Sequence, residues 1–329
     1  MSHCIGTVNP PNRRERFAVD GGRSTGTAHR RPSTVYRLLL LVLLALSPAG
    51  ASAQSSPVSA GRPFARDGSI RVFVLNGSVR VTGWDRDSVA VSGTAGKGQE
   101  LFVGGTRSSM KLGLWDRTDA DNALPSHLDV RVPAGARVWV KTGYAADVEV
   151  SGVTGGLDLN TAAGAVRVAG SPRELNVEAM EGNIEIAGSP AWLRAKSATG
   201  SITLRGSSED AVLTTVSGPI TVQSPPGGAS PFGRSRFESV TGNVAFSGVP
   251  ARGGTLDVDT HSGAVDLALP AALGADFDVT TISGTVTNAL TAARPVAEAR
   301  RRALVFSTGE GGARITVRTF KGPVRIRRQ

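Results

Sequence analysis

The amino-acid sequence predicts an all-β fold: a parallel β-solenoid, right-handed as parallel crossovers are, with coils of about 18–21 residues. Three observations predict it. A short phrase around a glycine recurs as SATGSITLRG (197–206), TVSGPITV (215–222), SVTGNVAF (239–246), THSGAVDL (260–267) and TISGTVT (281–287). β-branched and other apolar residues flank that glycine at fixed offsets on both sides. Aromatic residues make up only 5% of the chain and 41 of its 329 residues are glycine, so the core must be built from Val, Ile, Leu, Ala and Thr, which favour strands over a bulky-cored helical fold. A β-sandwich is the alternative, since short strands with frequent turns fit it too. A sandwich, however, does not require the same residue class at the same offset eight times over.

Residues 1–53 are expected to be an N-terminal extension plus a signal peptide. The run Leu38 to Leu46 (LLLLVLLAL) is strongly apolar but too short to span a bilayer. Arg37 precedes it and an A-x-A site ends at Ala53, which places cleavage between Ala53 and Gln54. The long Arg- and Ser-rich stretch before it suggests a true start near Val35, with a twin-arginine signal at Arg30-Arg31 as the rival. The only cysteine, Cys4, lies in this leader, so the mature chain is expected to hold no disulfide, thiol nucleophile or Cys metal site. No later segment is apolar enough to span a membrane. The leader carries seven Arg and two acids, so the formal charge falls from +10 to 30 − 25 = +5 on maturation. That balance is interspersed and excludes a nucleic-acid stripe. Residues 54–64 are expected to be a disordered linker, and 65–329 a single solenoid domain.

Within that domain, 65–153 reads as degenerate first coils that cap one end. GSIRVFV (68–74), GSVRV (77–81), LDVRVP (128–133) and DVEV (147–150) alternate well. From 154 to 329 the coils are regular. The anchoring glycines are Gly164, Gly182, Gly200, Gly218, Gly242, Gly263, Gly284 and Gly322. Two residues after them stand Val166, Ile184, Ile202, Ile220, Val244, Val265, Val286 and Val324, all β-branched. Five before stand Leu159, Val177, Ala195, Leu213, Phe237, Val258, Val279 and Val317, with mostly polar residues between the apolar ones. This period of two is a strand with one buried face. Three before each glycine is always Thr, Ser or Ala, which suggests a tight corner. One coil cannot bury its own apolar face, so coils must stack, about 4.8 Å apart. Nine or more coils give a ladder on the order of 40 Å long. Longer gaps at 219–241 and 285–321 read as loops let out of the coil, with 295–302 a short helix or exposed loop. The basic strand Val324-Arg325-Ile326-Arg327 is expected to close the far end, its charge blunting an exposed edge.

NGSVRVTGWDRDSVAVSG (76–93), LDVRVPAGARVWV (128–140), the many SG-x-V-x-V phrases and TVRTFKGPVRIRR (316–328) resemble the bacterial "putative adhesin" domain, a domain of unknown function in secreted and envelope proteins. The resemblance covers roughly 65–329. It implies a β-solenoid and export to the periplasm, cell surface or medium. It carries over no catalytic motif.

The residues themselves offer little chemistry. Gly22–Gly26 fits a G-x-S-x-G elbow but precedes the signal peptide and has no strand before it. Ser108–Lys111 and Lys141–Gly143 echo S-x-x-K and K-T-G without the third motif or a helix. Gly93–Gly98 lacks the spacing of a phosphate loop. The one metal candidate is the row Asp257, Asp259 and His261, whose carboxylates share a strand face; its bland alternative is a corner histidine beside a surface ion pair of Arg236 with Asp257. Trp84, Trp115, Trp139 and Trp192 are far apart in sequence. Trp115 and Trp139 are expected in the core or cap, with a sugar-binding patch as the alternative. The expected function is therefore a non-enzymatic adhesin or envelope scaffold without cofactors. Its partner would be an envelope protein or surface polysaccharide, with self-association through the solenoid ends a further possibility. The alternative is a carbohydrate-binding or carbohydrate-active β-helix using the loops at 219–241 or 285–314.

Overall fold

The computed structural model describes residues 55–116, 124–224, 231–298 and 300–329. The expected signal peptide and the extension before it lie outside these residues. In chain order the strands are β1 (Ser55–Pro63), β2 (Ser69–Val74), β3 (Gly77–Trp84), β4 (Ser88–Gly96), β5 (Gln99–Gly105), β6 (Ser109–Asp116), β7 (Ser126–Pro133), β8 (Arg137–Thr142) and β9 (Ala146–Ser151). The regular coils follow as β10 (Gly156–Thr161), β11 (Val166–Ala169), β12 (Glu174–Ala179), β13 (Ile184–Gly188), β14 (Trp192–Ser197), β15 (Ile202–Gly206), β16 (Asp210–Thr215), β17 (Ile220–Gln223), β18 (Phe232–Ser239) and β19 (Val244–Ser247). The last are β20 (Pro250–Thr260), β21 (Val265–Leu269), β22 (Ala275–Thr281), β23 (Val286–Asn288), β24 (Val296–Glu298), β25 (Arg301–Thr308), β26 (Ala313–Thr319) and β27 (Val324–Arg328). Among the described residues there is no α-helix, and none long and apolar enough to cross a membrane.

The strands form two long sheets, neither closed into a barrel. Sheet A has 13 strands and sheet B has 14. Each coil gives one strand to sheet B, turns at the glycine corner, and gives the next to sheet A. The register agrees residue for residue with the periodicity: Leu159 pairs with Val177 in sheet B, and Val166 with Ile184 in sheet A. The inward columns are fully buried, Val166, Ile184, Ile202, Ile220, Val244 and Val265 at no more than 1% exposure. Burying each such side chain contributes about 1.5–3 kcal/mol. Phe232, Phe237 and Phe246 fill the core where the coil widens, with ring centroids 5.2 and 6.0 Å apart. The sandwich alternative thus shares the two facing sheets but not the winding.

The corner phrase has a physical cause. A Cβ on Gly200 would sit well inside contact distance of the carbonyl oxygen of Gly182, and the same holds from Gly218 on Gly200 to Gly322 on Gly263. Backbone stacks on backbone here, which only glycine allows. The hydroxyl three residues earlier accepts the glycine N–H: Ser197 to Gly200 at 2.9 Å, Thr215 to Gly218 at 3.0 Å, Thr281 to Gly284 at 2.9 Å and Thr319 to Gly322 at 2.8 Å. The corner residue is therefore a buried acceptor as well as a small one.

Three expectations need correction. Within the expected linker, the described residues are not free: β1 pairs antiparallel with β4 over its whole length. Residues 295–302 are not a helix, because β24 and β25 form an antiparallel hairpin whose second strand covers β22. The basic strand β27 does not close the far end. It lies between β21 and β23, as β26 lies between β20 and β22. The last coil of the chain is thus threaded into a gap left between the two before it. The first coil is treated alike, since β2 and β3 lie between β6/β7 and β8/β9. Three of the four sheet ends are covered by antiparallel strands, β4 and β1 beyond β7, β5 beyond β6, and β25 and β24 beyond β22, while sheet A ends at β23, paired in parallel with β27.

Candidate functional site

The outer face of sheet B gathers aromatic side chains near the first coils. Alternation points residue 139 outward, between the buried Val138 and Val140. The ladder then places Lys111, Arg71, Trp139 and Asp158 side by side in one row. Two residues along, Phe102, Gly113, Phe73, Lys141 and Asn160 form a second row. Trp115 stands beyond it on β6. Phe73, Phe102 and Trp115 are 39%, 55% and 69% exposed.

These residues line a shallow concavity of about 570 Å³. Gly113 is its floor, the one position of the second row without a side chain. A Cβ there would stand 2.6 Å from the Phe73 carbonyl oxygen. Gly104 likewise makes room for the Phe102 ring, which a Cβ would meet at 2.6 Å. A second hollow of about 250 Å³ shares Trp139 and Asp158 and reaches Trp192. Together they make a groove that crosses strands from β5 to β14.

The electrostatics of the groove are uneven. At its far end the cations are matched: Arg137 with Glu174 at 2.9 Å, Arg194 with Asp210 at 2.8 Å and Lys196 with Glu178 at 3.4 Å. In the main concavity, Arg71, Lys111 and Lys141 have no carboxylate partner among the described residues. Arg71 instead lies 5.6 Å from the Trp139 ring centroid, with Arg137 at 5.8 Å. Both are within cation–π range.

The row Asp257, Asp259 and His261 runs along the outer face of β20. Arg236 and Glu238 flank it on β18. On the other side stand Thr316 and Arg318, because β26 is inserted between β20 and β22. The ion pair forms within β18, where Arg236 Nε donates to Glu238 Oε1 at 2.6 Å, and not with Asp257. That bond, with lesser contributions from Asp259 and Asp257, holds the guanidinium above its usual pKa. The His261 ring stacks on Phe320, centroids 5.0 Å apart. Among the described residues no three His, Cys, Asp or Glu side chains converge as a metal shell.

Residues 136–327 match the family described as Toastrack DUF4097. The chain belongs to the Toastrack DUF4097 family. No curated protein matches it. Solved structures with a similar trace include a "putative adhesin" from Bacteroides fragilis (8% identity, 82% of this chain and 97% of that one, TM-score 0.37) and one from Parabacteroides distasonis (12%, 82% and 97%, TM-score 0.35). Another is a "putative cell adhesion protein" from Clostridium sporogenes (8%, 83% and 100%, TM-score 0.21). The family assignment rests on residues 136–327. Within this Toastrack chain, Trp139, Lys141, Asp158 and Trp192 fall in the matched residues, while Arg71, Phe73, Phe102, Lys111 and Trp115 precede them.

The Toastrack fold overturns the expectation that Trp115 is buried in the core or cap. Its sequence position gave one usable signal: Trp115 follows the buried Leu114 and Leu112 at odd parity, which is the outward face of β6. The loops favoured for a carbohydrate site are not where the aromatics collect. Residues 225–230 lie outside the described residues, and β23, β24 and β25 take up part of 285–314.

Proposed function

We propose that this Toastrack protein is an exported, non-enzymatic binding protein, an adhesin or scaffold of the cell envelope, that meets its partner through the outer face of sheet B. The observation that supports this most is the group of exposed aromatic rings on Phe73, Phe102 and Trp115. Clustered exposed aromatic surface on a soluble face marks an interaction site. Rings of this size dominate interface energetics once they are covered. They stand on consecutive strands of a continuous ladder, so they are held in place before a partner arrives.

The ends suit this role less well. The edge strands β23 and β24 are three residues long, and β1 carries Pro57 and Pro63, features that oppose edge-to-edge pairing.

Fractionation of the native cell, with protease shaving of intact cells and N-terminal sequencing, tests the proposal. Shaving from the surface or recovery in the medium, with the sequence starting at Gln54, supports an adhesin. Protection in the periplasm with the same start supports an envelope scaffold. Recovery from the cytoplasm with residues 1–53 intact overturns the reading.

A further inference from the structure

The concavity has a chemical signature that goes beyond an apolar contact surface. Aromatic side chains line it and its rim is cationic. Arg71, Lys111 and Lys141 stand against the single carboxylate of Asp158. Charged side chains elsewhere on sheet B are largely interleaved as opposite pairs. A face that leaves three cations unmatched around exposed aromatic side chains is complementary to an anion carrying flat, weakly apolar surfaces.

We propose that the groove from Trp115 to Trp192 binds an acidic oligosaccharide, its sugar rings laid on Trp115, Trp139 and Trp192 and its carboxylates met by Arg71, Lys111 and Lys141. This rests on the reading of the protein as a binding module and names the ligand class of that same face. Trp139 is the central platform, because both hollows share it. The groove runs obliquely over the sheet: Trp115 stands four residues to one side of the Trp139 row and Trp192 two residues to the other, two and three strands away. Asp158, Asn160 and Asn176 supply hydrogen-bonding groups for hydroxyls. The interleaved Glu174 and Asp158 make the groove a poor track for the continuous phosphates of a nucleic acid, whose binders need an unbroken positive groove.

Three of the four tryptophans line the groove, so intrinsic fluorescence reports on it directly. The probes are an oligogalacturonate of defined length, its fully methyl-esterified counterpart and a single-stranded oligonucleotide. Saturable quenching is expected with the acidic oligomer, weakening as salt rises, with affinity for the neutral ester lower by about tenfold or more. Trp139→Ala, and Lys111→Gln combined with Lys141→Gln, should each weaken binding by about tenfold, and the double lysine variant should flatten the salt dependence. Thermal unfolding should be nearly unchanged in the lysine variant, whose side chains point to solvent. No saturable change with the acidic oligomer, equal affinity for the ester, tighter binding of the oligonucleotide, or full affinity in Trp139→Ala would each overturn the proposal. If the wild-type chain is nevertheless retained by envelope material, the binding-module reading stands without it; loss of both takes that reading down as well.

Discussion

At Gly200 a methyl group would run into the carbonyl oxygen of the coil beneath, and backbone cannot move aside as a flexible side chain can. Gly200→Ala is therefore expected to cost about 1–3 kcal/mol or more, as overpacking does, read as a lower urea midpoint with an unchanged slope. A glycine facing solvent, such as Gly253, whose Cβ would meet nothing within 4 Å, tests the other half of that argument only in part, because its φ of +76° still favours glycine. The hydroxyl that accepts the corner N–H is a separate cause. Thr319→Val keeps the shape and leaves the Gly322 N–H without its acceptor, so a loss of about 1–3 kcal/mol is expected, with Thr319→Ser restoring most of it. Thermal melts of the two variants check this. The phrase itself was legible in the sequence as a tight corner. The hydrogen bond was not, because Ala179 occupies the same place and hides the need for an acceptor.

Strand register was also legible, because a period of two fixes which side chains face inward and a repeated glycine fixes where each coil begins. Neighbour order was not. Every coil carries the same pattern at the same offset, so β22/β23 and β26/β27 are equally good partners for β20/β21 by pattern alone. What decides is the connection. β25 runs back along β22, and this delivers the chain to the start of the vacant level, where β26 pairs on both sides. Cysteine pairs placed on the outer face test this order in a Cys4→Ser background. Residues 257 and 316 are paired across adjacent strands, about 4.8 Å apart, within reach of a disulfide. Residues 257 and 278 are two strands apart, about 10 Å, and too distant. Oxidation should cross-link Asp257→Cys with Thr316→Cys in good yield and should leave Asp257→Cys with Asp278→Cys reduced, as read by a mobility shift without reducing agent. The opposite pattern would restore the sequential order of coils.

For the molecule as a whole, the sequence spread its tryptophans over more than a hundred residues, and only the ladder brings Trp115, Trp139 and Trp192 to one groove. That gathering is a property of winding: positions far apart in the chain become neighbours once each coil advances by a single strand. The insertion of β2 between β6 and β8 is what sets Arg71 between Lys111 and Trp139 and Phe73 between Gly113 and Lys141, and no periodicity foretold it. The central claim is that this face of sheet B does the binding. Retention of purified protein on the cell's own envelope fraction measures it most directly. The account predicts that wild-type protein is retained, that a Trp115→Ala, Trp139→Ala double variant with unchanged β-sheet circular dichroism is released, and that Met180→Ala, on the corner away from the groove, behaves as wild type. Equal retention of the tryptophan variant and the wild type would contradict it.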